Sequence, residues 1–96
     1  MQEFRNSKYE SYYPDQAATF DDECRIRIDD DMVVVEYDND DGVTTYRGHS
    51  VGQGHYVLKG VGFDASASLH RAPGSQVLEG SWAEEGYKGM WRITLR

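Results

Sequence analysis

The sequence predicts an all-β protein, an antiparallel up-and-down meander of about seven to eight strands closed into a small barrel. Three observations carry this reading. From residue 23 onward, short runs rich in Val, Ile, Tyr, Thr and Trp recur about every ten residues, separated by Asp, Gly or Pro clusters, as in a meander. The stretch from Leu78 to Leu95 alternates cleanly about Gly86, so it reads as a hairpin with one apolar and one polar face. A sheet with one apolar face must hide that face, either by curling into a barrel or by packing on another sheet or subunit. Glycines at the inward positions Gly48, Gly60 and Gly80 favour curling, because strand glycines mark bends where backbones and rings approach closely.

Two regions follow from the change of pattern. Residues 1–22 form an N-terminal segment that is partly irregular or supplies an extra strand, and residues 23–96 form the β-meander barrel. Residues 1–20 are polar, with Tyr9, Tyr12 and Tyr13 before Pro14, and show a period of neither 2 nor 3.6. They fit a disordered stretch, a strand near Phe4 to Tyr9, or a short turn from Asp15 to Phe20. The strands expected next are Glu23–Ile28, Met32–Tyr37, Val43–His49, His55–Val61, Asp64–Arg71, Gln76–Ala83 and Lys88–Arg96.

Register extends backward from the last hairpin, since each turn must keep buried residues facing buried residues. With Gly86 first in a two-residue II′ loop, Trp82 lies opposite Trp91, Gly80 opposite Ile93 and Leu78 opposite Leu95. A loop centred on Pro73-Gly74 sets Leu69 opposite Leu78 and Ala65 opposite Trp82. A turn at Gly62-Phe63 sets Tyr56 opposite Leu69 and Leu58 opposite Ala67. Tyr46 and Gly48 then point inward, and Arg47 and His49 outward. In the first two predicted strands Cys24, Ile26 and Ile28 face inward with Val33, Val35 and Tyr37, which places Arg25 across from Glu36. Val34 falls on the outer face against its character.

Composition narrows function. The 96 residues carry a formal charge of −7, which provides no positive field for phosphate and argues against a nucleic-acid partner. No window approaches the roughly 18 apolar residues of a membrane span. The single cysteine, Cys24, has no intrachain partner, and the opening Met-Gln-Glu-Phe-Arg-Asn-Ser-Lys does not resemble a signal peptide, so a cytoplasmic location is expected.

The segments Thr45-Tyr46-Arg47-Gly48 and Gly52-Gln53-Gly54-His55-Tyr56, with the Gly-x-Trp of Gly89-Met90-Trp91, resemble calycin barrels, the lipocalin and avidin-type superfamily. The resemblance covers residues 43–96 in pattern. It implies a meander barrel that holds a small molecule in its lumen. Two features depart from it: lipocalins carry Gly-x-Trp on the first strand rather than the last, and their eight strands normally use a longer chain. No ligand and no binding residue follow from it.

The expected interior holds Trp82, Trp91, Tyr46 and Tyr56 among glycines. Two readings are open: an aromatic-lined cavity for a small apolar or aromatic ligand, or rings that fill the space the glycines leave. Alternate turns of a meander lie at opposite ends, which gathers His49, His55 and His70 at one end of the outer face as a candidate zinc site, although no known zinc spacing is present. The runs Asp29-Asp30-Asp31 and Asp38-Asn39-Asp40-Asp41 read as solvated turns. The second fails the calcium-loop pattern, since counting back from Gly42 puts Tyr37 at the first ligand position and Gly48 at the last. No nucleophile stands in a catalytic motif, and no phosphate loop or cofactor motif is present. The expected function is therefore a non-catalytic barrel that binds a small ligand. The alternative is an interaction module or homodimer that pairs through an exposed strand edge or through the Tyr9–Tyr13 segment.

Overall fold

The computed structural model describes residues 1–96 and contains eight antiparallel strands, each paired with the next and the last with the first, in a closed barrel. They are β1 (Gln2–Tyr12), β2 (Thr19–Ile28), β3 (Met32–Asn39), β4 (Gly42–Gly52), β5 (His55–Gly60), β6 (Ala65–His70), β7 (Val77–Glu84) and β8 (Tyr87–Thr94). Short turns let so small a chain close eight strands. Asp40-Asp41, Gln53-Gly54 and Glu85-Gly86 each join two strands with two residues. Asx turns tighten the acidic connections: Asn39 Oδ1 accepts from the Asp41 amide at 2.9 Å, and Asp29 Oδ1 accepts from the Asp31 and Met32 amides at 2.8 and 2.9 Å. Those two amides hold the Asp29 carboxyl below its ordinary range.

The first strand closes the barrel. It pairs with β2 from Gln2 to Ser11 and with β8 from Lys8 to Tyr12. Its lack of a legible period has a physical cause, because the register slips between Phe4 and Ser7 and again between Tyr9 and Ser11. Phe4 packs on the core from an even position, whereas Ser7 and Ser11 are buried at odd ones. β1 and β8 pair with each other over Lys8–Tyr12, which closes the sheet, so neither the first nor the last strand presents a full-length free edge.

Inward parity agrees with the alternation throughout. Ile26, Val33, Val35, Tyr46, Leu58 and Leu69 are all at most 1 % exposed. Arg25 pairs with Glu36, and Tyr56 with Leu69, as expected from the sequence. Val34 is nonetheless buried. On the outer face it lies between Arg27 of β2 and Arg47 of β4, whose aliphatic stems can cover it.

Three registers differ from expectation by two residues, which changes partners and preserves faces. In the last hairpin both Glu85 (φ 48°) and Gly86 (φ 88°) are left-handed, the signature of a I′ turn centred one residue earlier than the expected II′ turn. Trp82 therefore pairs with Gly89, Gly80 with Trp91 and Leu78 with Ile93. Between β6 and β7 the ladder pairs Ala67 with Trp82 and Ala65 with Glu84. There Arg71 is held by the Gly54 and Ser75 carbonyls, while the Gln76 carbonyl accepts from Leu95, so the pairing resumes later than a symmetric Pro73-Gly74 turn would allow. On β4, a bulge before Gly52 sets His49 opposite Val57 rather than His55.

Pairing each tryptophan with a glycine has a structural consequence. The indole Nε1 of Trp91 donates to the Ser68 carbonyl of β6 at 3.1 Å, so the ring spans β7 where Gly80 offers no side chain. The β6–β7 ladder is open at this level. The Ser68 carbonyl takes the indole, and the Ser81 amide donates to Ser68 Oγ at 3.2 Å. Trp82 sits opposite Gly89 in the same manner and donates to the Met90 carbonyl at 3.2 Å.

Candidate functional site

The β1–β2 loop and the β7–β8 turn lie at the same end of the barrel, and there the lumen is open. Below them is a cavity of about 660 Å³. Its aromatic wall comprises Tyr9, Tyr13, Tyr37, Tyr46, Trp82 and Trp91. The rings brace one another edge to face or tilted: Tyr46 against Trp91 at 5.2 Å between centroids, Tyr13 against Trp82 at 5.4 Å, and Tyr9 against Tyr37 at 5.2 Å. Such contacts fix the wall without filling the space.

The polar groups are few and unequal in sign. Glu84, on β7 two residues beyond Trp82, faces inward and accepts a hydrogen bond from the Tyr46 hydroxyl. Asp22 and Asp15 add two more carboxylates, and Lys88 is the only cation lining the cavity.

Three of the phenols, those of Tyr9, Tyr37 and Tyr46, are held in their neutral form. Burial first, then hydrogen bonding to Glu84 and its charge, push Tyr46 far above the ordinary tyrosine range. Burial and the neighbouring Tyr37 and Asp22 do the same for Tyr9. Tyr37, raised by burial and then by Glu84, reaches about 12. A phenol that ionises near 10 once unfolded but only near 12 in the barrel stabilises the fold fully below pH 10 and loses that contribution as pH rises through 12. Stability is thus expected to fall between pH 10 and 12, with part of the 295 nm phenolate absorbance appearing only on unfolding, and a Tyr37→Phe variant losing less stability over that window. A flat stability profile across that window would contradict the burial assigned to these hydroxyls.

Of the four aromatic residues expected to line the interior, Tyr46, Trp82 and Trp91 line this cavity. Tyr56 lies at the opposite end, where its hydroxyl donates to the Asp29 carbonyl at 2.7 Å. Of the three histidines, His55 and His70 pair across β5 and β6 with their Nδ1 atoms 2.6 Å apart, one ring donating to the other. His49 stands opposite Val57, and no three His, Cys, Asp or Glu side chains form a group that could hold a metal ion. Cys24 is buried, and desolvation raises its thiol to about 12, which keeps it protonated and unreactive. Glu84, Asp22, Tyr9 and Tyr13 were missed by the sequence reading. Continuing the inward alternation of β7 by one step past Trp82 finds Glu84, whereas Tyr9 and Tyr13 follow slipped registers and a loop that leave no periodic trace.

In comparisons with known proteins, no family model, curated protein or solved structure matches the chain. The barrel is compatible with a calycin-like fold. It contains no helix long and apolar enough to cross a membrane.

Proposed function

We propose that the protein is a non-catalytic binding barrel that takes a small molecule with an aromatic or apolar body into the cavity at its loop-bearing end. The observation that supports this reading is the cavity itself. Its volume of about 660 Å³ falls within the roughly 300–1,000 Å³ usual for small-molecule sites, and its wall is aromatic with few polar groups. The edge-to-face packing of the rings leaves the lumen open at this end, while Leu58, Leu69, Leu78 and Ile93 pack the rest of it. Catalysis has no support in the arrangement, since Cys24 is buried and does not line the cavity, and no acid–base pair meets a nucleophile there.

Titration with the neutral dye N-phenyl-1-naphthylamine tests the reading. The dye should gain emission while quenching tryptophan. Tyr13→Ala, which removes one ring from the cavity wall and touches no strand pairing, should weaken binding by about tenfold, as expected when one aromatic contact of order 1.5 kcal/mol is lost. Equal binding to the two proteins would rule against an interior site.

A further inference from the structure

We propose that the ligand of this cavity is an organic ammonium ion, a protonated amine on an aromatic or alkyl body, recognised by Glu84 and Asp22 within the cage of aromatic rings. The inference rests on the reading above that the cavity binds a small molecule.

Charge balance inside the cavity points this way. Asp15, Asp22 and Glu84 line it against Lys88 alone. Five carboxylates of this acidic chain pair with cations, Glu3, Glu23, Glu36, Asp38 and Glu79, and none of them lines the cavity. The three cavity carboxylates have no such partner. Glu84 accepts from the neutral Tyr46 hydroxyl, and the Tyr37 hydroxyl also lies against it. Asp22 and Glu84 are half-buried beside these rings, so a ligand that covers them takes two unpaired carboxylates further out of water, and a cation delivered by that ligand offsets the cost.

The wall is suited to the same charge. Aromatic faces are electron-rich and attract ammonium groups, an effect that strengthens as the site is desolvated. Tyr37 and Tyr46 flank Glu84 and so would surround a head group seated on its carboxylate, while Trp82 and Trp91 offer apolar surface to the body. An anionic ligand would meet two uncompensated negative charges. A neutral one would leave both carboxylates desolvated without return. A bare divalent metal is disfavoured because the carboxylates do not converge as a metal site.

Three probes of similar size separate the possibilities: 2-phenylethylammonium, 2-phenylethanol and phenylacetate, titrated into the full chain near neutral pH with tryptophan fluorescence and calorimetry as readouts. The expected result is that the ammonium ion binds about tenfold or more tightly than the alcohol, with phenylacetate weakest, as one charge-assisted hydrogen bond requires. Glu84→Gln keeps the acceptor for Tyr46, so it should fold. It should reduce ammonium affinity by about tenfold while changing alcohol affinity by less than about twofold. Asp22→Asn should act in the same direction.

If the alcohol or phenylacetate binds as tightly as the ammonium ion, the charge assignment is overturned and the binding barrel stands. If ammonium affinity is unchanged in both variants, the assignment is likewise overturned. If none of the three probes, nor the neutral dye, binds, the interior site itself is overturned and the inference goes with it.

Discussion

Gly80→Ala is expected to destabilise the barrel by about 3 kcal/mol or more, a large part of the 5–15 kcal/mol that holds a typical domain together. A methyl group at this position would run into the Ser68 carbonyl of β6 and its carbon, which are backbone atoms and cannot swing aside as a side chain can. The same carbonyl accepts the Trp91 indole hydrogen, so the added carbon both clashes and displaces the ring that ties β8 across β7 to β6. Urea unfolding followed by tryptophan emission gives the measurement. A loss below about 1 kcal/mol would mean that β6 and β7 can separate freely here and that the close approach is not a requirement of the fold.

Removal of the ring should be comparably severe. Trp91→Ala is expected to cost about 3–5 kcal/mol, the range for deleting a buried aromatic side chain. The indole is 4 % exposed and packs edge-on against Tyr46. Trp91→Phe keeps most of the apolar volume but leaves the Ser68 carbonyl without its donor, and should cost about 1–3 kcal/mol. Because Gly80 and Trp91 serve one cross-strand bridge, the double variant Gly80→Ala/Trp91→Ala should lose clearly less than the sum of the single losses. Strict additivity in that cycle would separate the glycine from the ring. Trp91 also lines the cavity, so ligand binding should fall in both Trp91 variants.

The part of the fold that was legible follows from period two. From Cys24 to Leu95 the side chains that the alternation turns inward are buried or, like Tyr37 and Ala65, partly buried against the core, because a strand residue has only two faces to choose from and one of them is dry. An error of two residues in a turn does not disturb this. Thus Trp82 and Trp91 were assigned to the correct face although their partners were not: a I′ turn at Glu85-Gly86 and a II′ turn at Gly86-Tyr87 place the same residues inward and differ only in who meets whom. The partners matter here, since a tryptophan opposite a glycine can reach across a neighbouring strand and a tryptophan opposite a tryptophan cannot.

The candidate site was legible in part. Tyr46, Trp82 and Trp91 follow from parity, but parity does not say at which level of the barrel a ring lies. Tyr56 shares their face and sits at the far end, tied to Asp29. His49 illustrates the same limit from outside, because a bulge before Gly52 carries it away from His55.

The sequence by itself determined the seven strands that follow the N-terminal segment, their inward and outward faces and the acidic character of the connections, because these depend on local alternation and turn chemistry. Only the tertiary structure decided that β1 closes the barrel through two slipped registers, that each tryptophan faces a glycine, and that Glu84 and Asp22 enter an aromatic cavity without a cation. Each of these depends on how far strands are staggered around a closed sheet, a quantity set by the fit of all eight strands together and written in no single segment.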